Sequence, residues 1–104
     1  MHTLVFGVYR KDGVSQEEFL DHWRGEHAEI AAQLPKVREY LIMPVTDSAE
    51  APEPVPHGFV MMRFDSKEDA EAALGSPEMG AAAEDAANFA GHFSTFHVET
   101  TKVV

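Results

Sequence analysis

The chain contains no cysteine among its 104 residues. This absence excludes disulfide bonds, thiolate nucleophiles and cysteine-ligated metal sites, and it agrees with the cytoplasmic location that we expect. Basic residues are also scarce, with 8 Lys and Arg against 18 Asp and Glu and a formal net charge of −10. Because a negative field repels phosphate backbones and anionic lipid surfaces, we expect neither nucleic acid nor a membrane as a partner.

Long apolar runs are missing as well. No stretch approaches the roughly 20 apolar residues that a membrane-spanning helix needs. Residues 1–10 lack the basic start and the extended apolar core of a signal peptide, and their composition is typical of a strand. Hydrophobic residues still make up 44% of the chain, as in folded globular proteins. At this length we expect one domain that spans residues 1–104.

Turn and capping signals divide the chain into six elements. Ser15 and Glu18 form a capping-box pattern, so a helix should begin there and end before Pro35. Ser66 and the Ser76-Pro77 pair are further helix starts, separated by a break at Gly75. The predicted elements are a strand over residues 3–10, a helix over 15–34, strands over 37–45 and 58–64, a broken helix from 66 to about 89, and a strand over 95–103, after a loop that begins at Gly91.

The stretch over residues 44–57 contains four prolines and three acidic residues. Proline lacks the N–H that a strand ladder or a helix interior requires, so we predict a loop here. A loop of this length in a small domain is either a functional lid or a mobile connection, and the sequence favours neither.

The predicted order β-α-β-β-α-β is typical of the ferredoxin-like α+β fold, a four-stranded antiparallel sheet with two helices on one face. Alternation along the strands makes both faces of the sheet apolar, because Leu4 and Phe6 oppose Val5, and Met62 opposes Met61. Two helices cover only one face. A homodimer through the open face is the simplest cover, while cover by the chain's own loops is the alternative.

One ionisable residue falls on the apolar stripe of the first predicted helix. At about 100° per residue, His27 lies in the sector of Phe19, Trp23 and Leu34. Such a histidine is either a core residue bonded to a backbone carbonyl or the working group of a pocket. In a pocket, burial would favour the neutral imidazole, which can accept a proton from a phenol or from carbon beside a carbonyl.

The motif Phe19-x-x-His22-Trp23-x-x-x-His27, followed by Leu34-Pro35-x-Val37-x-x-Tyr40, resembles the EthD family of the dimeric α/β-barrel superfamily. The likeness continues through Gly58-Phe59 and through Phe64-Asp65-Ser66-x-Glu68-Asp69-x-x-Ala72-Ala73-Leu74-x-Ser76-Pro77-Glu78, and it covers roughly residues 4–103. The resemblance implies a ferredoxin-like protomer whose sheet pairs with that of a second copy to form a barrel.

Relatives in this superfamily include cofactorless monooxygenases, polyketide cyclases, a muconolactone methylisomerase and haem-degrading enzymes. The resemblance places the family's helix histidine at His27 and its His-Trp pair at His22-Trp23. Many relatives follow that histidine with a small residue and proline. This chain has Ala28-Glu29 instead, so we expect its helix to continue unbroken.

Six further side chains complete the candidate site. Tyr40 and Tyr9 are candidates to hold a developing oxyanion, with His27 as the catalytic acid or base. Trp23, His22, His92 and Phe6 are candidate ligand contacts. Each also has an ordinary interpretation: His22 lies about 110° from the stripe centre and would be solvated, Trp23 would be core, and His92 would sit in a surface loop.

We therefore expect a cofactor-independent enzyme that acts by proton transfer on a small apolar or aromatic molecule such as a polyketide or lactone. The chemistry would be cyclisation, dehydration, isomerisation or oxygenation. No metal site is expected, because His22 and His27 are five residues apart, as are His92 and His97. A non-catalytic small-ligand-binding or accessory dimer is the alternative, and haem handling through one axial histidine is a lesser one.

Overall fold

The computed structural model describes residues 1–47 and 50–104. Residues 48 and 49 of the predicted proline-rich loop lie outside the described residues. The elements are β1 (His2–Arg10), α1 (Gln16–His22), a π-helical segment (Trp23–His27), α2 (Ala28–Ala31), β2 (Glu39–Pro44), β3 (Gly58–Phe64), α3 (Lys67–Leu74), α4 (Pro77–Ala86) and β4 (Ala90–Val98).

The four strands form one antiparallel sheet in the order β2-β3-β1-β4. The helices pack on one face of this sheet, and the largest buried side chains lie between the two layers: Trp23, Phe19, Phe64, Phe89, Leu4 and Val8. This confirms the predicted ferredoxin-like α+β fold. None of the helices in the described ranges has the length and apolar character needed to cross a membrane.

The first helical run begins as predicted. The backbone N–H of Glu18 donates to Oγ of Ser15, and the N–H of Ser15 donates to Oε1 of Glu18, which completes the capping box. The prediction of a regular helix was wrong in its middle, because residues 23–27 adopt π geometry. A π segment spaces its hydrogen bonds one residue wider than an α-helix. It therefore shifts the direction of later side chains relative to a wheel drawn at α-helical spacing.

An apolar row crosses all four strands on the open face of the sheet. Leu41 pairs with Met61, Met61 with Val5, and Val5 with Phe96, so these side chains form one row. Phe96 is 54% exposed and Leu41 is 42% exposed. The structure confirms apolar residues on both faces of the sheet, and the row lies on the face that the helices leave uncovered.

The position of the last strand was predicted wrongly. β4 begins at Ala90 rather than Thr95, so His92 and Phe93 lie within the strand and not in a loop. The two residues pair with Tyr9 and Val8, and the register shifts between Tyr9 and Arg10. The prediction treated Gly91 as the start of a loop, but pairing along the full edge of β1 outweighed the low strand preference of that glycine.

Candidate functional site

A cavity of about 180 Å3 lies between the helices and the covered face of the sheet. Phe6 and Val60 contribute to its sheet wall, and Trp23 and Leu34 to its helix wall. The lining is largely apolar, and the polar side chains among it include His27, Tyr40 and Thr95. A few polar groups on an apolar wall are what a small-molecule site needs to orient a ligand.

His27 connects the cavity wall to a buried carboxylate. It is 6% exposed, and its ring meets that of Phe89 edge-on. Its Nδ1 atom lies 2.9 Å from Oδ2 of Asp85, whose side chain is 9% exposed. The partner of this buried histidine is therefore a side-chain carboxylate and not the backbone carbonyl of the ordinary interpretation.

Burial and hydrogen bonding oppose each other at this pair. Burial lowers the pKa of His27 and outweighs the hydrogen bond and charge of Asp85, which act to raise it. Burial acts to raise the pKa of Asp85, but the hydrogen bonds and charge interactions with His27 and His22 together outweigh it, and the pKa of Asp85 is lowered. At neutral pH the pair is thus a neutral imidazole beside an ionised carboxylate.

Neutral imidazole carries one proton, and a carboxylate can only accept a hydrogen bond. Nδ1 of His27 therefore donates to Asp85, and the proton-free nitrogen is Nε2. This is the arrangement by which an acidic residue fixes the tautomer of a catalytic histidine.

Asp85 is the site residue that the sequence reasoning missed. It lies on α4 among the buried positions Ala82, Ala86 and Phe89, which follow helical spacing. An acidic residue on an apolar stripe is the same signal that singled out His27 on the first helix. Applied to the alanine-rich segment, it would have identified Asp85.

His22 is not the solvated edge residue of the ordinary interpretation. Its Nε2 atom lies 3.0 Å from both carboxylate oxygens of Asp85, and its side chain is 24% exposed. The helical wheel considered one helix alone, whereas α4 packs close enough to place Asp85 beside it. Asp85 therefore joins His22 and His27, but His22 does not line the cavity.

Tyr40 and His27 line the same cavity, which brings together two of the three predicted catalytic residues. Burial raises the pKa of Tyr40 to about 12. The phenol consequently keeps its proton at neutral pH and remains a hydrogen-bond donor.

Trp23 and Phe6 also line the cavity, as two of the four predicted ligand contacts. The indole of Trp23 is held by close packing on β3. A Cβ atom built on Gly58 would lie 2.5 Å from both Cη2 and Cζ3 of the indole, far inside van der Waals contact. Only glycine at position 58 allows the ring to lie this close to the strand.

Tyr9 and His92 do not belong to this cavity. Their rings stack on each other with centroids 4.0 Å apart, and both line a separate depression beside Arg10 and His57. The expectation that Tyr9 and Tyr40 share one pocket was wrong, because Tyr9 follows Val8 and alternation turns its side chain to the other face. His92 pairs with Tyr9 and shares that face.

One group of donor atoms in the described part of the chain has metal-like spacing. His22, Glu26 and Asp85 each offer a ligand atom, all within 4.8 Å of one another. The donors are already engaged, however, since Asp85 binds both histidines and Glu26 lies 3.8 Å from Nδ1 of His22. We assign no metal to them.

The EthD domain model matches residues 11–92, a range that includes His22, His27, Tyr40 and Asp85. The chain belongs to the EthD family. It is 33% identical, over 72 residues and 69% of each chain, to an uncharacterised 11.0 kDa protein encoded in the thcB-thcC intergenic region of Rhodococcus erythropolis.

Solved structures extend the similarity to the whole fold of this EthD protein. An ethyl tert-butyl ether D (EthD) family protein from Bacillus halodurans superposes with a TM-score of 0.74 at 22% identity, covering 97% of this chain and 100% of that one. A dimeric protein of unknown function and ferredoxin-like fold from Bacteroides fragilis gives a TM-score of 0.71 at 18% identity, covering 95% of each chain. Both comparisons support the fold.

Proposed function

We propose that this EthD family member is a cofactor-independent enzyme that moves a proton on a small apolar or aromatic molecule, with His27 as the general base and acid. The observation that carries the proposal is the Asp85–His27 pair at the wall of an apolar cavity. The reaction class is proton transfer in a cyclisation, dehydration, isomerisation or oxygenation.

The tautomer of His27 supports the role of a base. Asp85 accepts the Nδ1–H bond, and Asp85 does not line the cavity whereas His27 does. We therefore assign Nε2, the proton-free nitrogen on the other side of the ring, to the ligand. A neutral imidazole in this position takes a proton from carbon beside a carbonyl and returns it at another atom of the substrate.

Tyr40 has the complementary role in this proposal. Removal of a proton beside a carbonyl places negative charge on the carbonyl oxygen, and a preorganised donor in a dry site stabilises that charge. The protonated phenol of Tyr40 lines the same cavity and supplies such a donor. Trp23 and Phe6 form apolar walls that exclude water.

We also propose that two copies pair through the open face of the sheet. The row of Leu41, Met61, Val5 and Phe96 provides an apolar surface without cover by the helices. The similar Bacteroides fragilis protein is dimeric. A two-fold arrangement would let the same row on each copy cover the other.

A monocyclic enone tests the proposed chemistry. Isomerisation of 3-cyclohexen-1-one to 2-cyclohexen-1-one needs one proton removed beside the carbonyl and one returned to the far alkene carbon. The conjugated product is followed by its ultraviolet absorbance. We expect the wild type to catalyse this reaction, His27→Gln to abolish it, and Tyr40→Phe to slow it.

His97→Gln is the control for loss of a histidine, since His97 is exposed and bonds His2 outside the cavity. Equal rates for the wild type and His27→Gln would contradict the proposal. A wild type that isomerises 3-cyclohexen-1-one no faster than the uncatalysed reaction would contradict it as well, and would favour a non-catalytic small-ligand-binding or accessory dimer. The cavity volume gives the accessory form of this alternative some support, because about 180 Å3 lies below the roughly 300–1,000 Å3 of most ligand sites.

A further inference from the structure

We propose that α4 limits the cavity to a single six-membered ring bearing one oxygen, so that phenols and cyclohexenones enter and fused bicyclic molecules do not. The inference rests on the proposed site for the position of the oxygen. Its size limit depends on the shape of the cavity alone and not on catalysis.

The volume defines the size class. An apolar cavity of about 150 Å3 is large enough to bind benzene. The cavity here measures about 180 Å3 and is partly open to solvent, so it holds one ring with a small substituent, whereas a second fused ring would have to displace Met79 or extend out through the open side.

The side of the cavity formed by α4 is built from very small side chains. Ala82 and Ala86 are one helical turn apart and buried, and Ala83 lines the cavity beside them. Each contributes only a Cβ atom to the cavity wall. Larger side chains at these positions would fill the space that a ring would occupy. Met79 lines the cavity one turn earlier on the same helix, and its long side chain limits the space there.

The polar side chains of the cavity wall favour a ligand with a single oxygen. Among the lining residues, Tyr40 offers a protonated phenol and His27 a ring nitrogen, while most of the remaining wall is apolar. A ligand with one hydroxyl or carbonyl satisfies Tyr40. A ligand with several polar groups would leave some of them unpaired against the apolar walls, at a cost in binding.

Trp23 provides the readout. It is the chain's only tryptophan and it lines the cavity, so its indole N–H gives one identifiable NMR signal. We expect phenol to shift this signal saturably and 2-naphthol to leave it unchanged in the wild type. Met79→Ala should admit 2-naphthol, a gain of binding that damage to the fold does not produce.

Ala82→Leu should fill the cavity and weaken phenol binding at least tenfold, whereas Ala87→Leu, on the exposed side of the region just after α4, should leave binding unchanged. Ala83→Leu replaces Ala82→Leu if thermal unfolding shows that the latter is not folded. Absence of phenol binding to the wild type, equal binding of phenol and 2-naphthol, or full phenol binding to the filled variant would overturn the inference.

His27→Gln separates this inference from the proposed function. It should lose enone isomerisation while retaining the preference for phenol over 2-naphthol. Size-limited binding without any isomerisation by the wild type would reject the catalytic role and leave the size limit standing. Isomerisation by a wild type that also binds 2-naphthol freely would reject the size limit and leave the catalytic role standing.

Discussion

Oδ2 of Asp85 lies 2.9 Å from Nδ1 of His27, and this contact joins two helices across 58 residues of sequence. It gives a buried histidine a charged acceptor and leaves the other ring nitrogen for the cavity. The same carboxylate also contacts His22. One side chain of α4 therefore positions two side chains of the first helical run.

Asp85→Asn tests this positioning role. The amide keeps the shape but removes the charge, and its NH2 group can direct a donor at Nδ1, so the tautomer of His27 is no longer fixed. We expect the rate of 3-cyclohexen-1-one isomerisation to fall by about 100- to 10,000-fold while Trp23 still reports phenol binding. The pH profile of the remaining activity should also move.

Glu84→Gln is the matched control, because Glu84 is the exposed neighbour of Asp85 on α4. It removes one negative charge without touching His27. A loss of rate as large as that of Asp85→Asn would show that net charge, and not the contact, carries the effect.

Stability should fall with acidification in the range where His27 titrates. The groups that face its ring are Asp85 on α4 and His22 on α1. Burial lowers the pKa of His27 below 6.5 in the folded state, so the unfolded chain binds a proton there more readily than the folded chain. The contribution of His27 to the unfolding free energy is therefore fully present above its unfolded pKa. It is lost as the pH falls from there through the lower, folded pKa.

The lowered pKa of Asp85 acts in the same direction at lower pH, since its contribution is present above 3.8 and is lost below. Urea unfolding at about pH 7.5 and about pH 5.5 measures the histidine effect. His27→Gln should reduce the decrease in unfolding free energy between these two conditions. An unchanged decrease would show that His27 does not contribute to it.

Gly58→Ala should destabilise the protein and disturb the cavity together. The added Cβ would meet Trp23 at 2.5 Å, so the indole or β3 must move. Overpacking of this kind costs about 1–3 kcal/mol in unfolding free energy. Denaturant unfolding measures the loss, and the indole NMR signal should shift.

Gly80→Ala gives the opposite expectation and serves as the control. Gly80 lies in α4, and nothing lies within 4 Å of a Cβ atom built there. Alanine in a helix interior is better than glycine by about 0.5–1 kcal/mol, so this variant should be more stable than the wild type. Destabilisation by both variants would remove the special role of the Gly58–Trp23 contact.

Phe96→Lys should separate the proposed dimer. Phe96 ends the apolar row of the open face, and a lysine there would place a charge in the interface. By sedimentation at micromolar concentration, the wild type should have about twice the 11.5 kDa of one chain and the variant the mass of a single chain. Ala87→Lys, an exposed position just after α4, should remain dimeric. A monomeric wild type would contradict the pairing.

The local features of the fold were the most predictable. Capping at Ser15 and Ser66, the break at Gly75 and the alternation of the strands depend on neighbours in sequence, and the structure contains all of them. The predicted start of β4 was wrong, because pairing with β1 determines whether Gly91 and His92 adopt strand conformation. That pairing joins residues about 80 positions apart in sequence, and a local sequence pattern cannot predict such a contact.

The candidate site was predictable only in part. The apolar stripe identified His27 and Trp23, and the resemblance to the EthD family supported His27 and the His22-Trp23 pair. Tyr40 was a candidate oxyanion donor because of its place in the second predicted strand. The π-helical segment and the approach of α4 determine which groups surround His27, and both depend on packing between elements. Asp85 belongs to the same class of signal as His27, but the alanine-rich segment was interpreted only as a helix.

The central claim is that the proton-free Nε2 atom of His27 faces an apolar cavity that small ligands can enter. Imidazole 15N NMR at neutral pH, with and without saturating phenol, measures it most directly. We predict that Nδ1 carries the proton, that Nε2 does not, and that phenol moves the Nε2 resonance. A proton on Nε2, or a resonance that phenol leaves in place, would contradict the account.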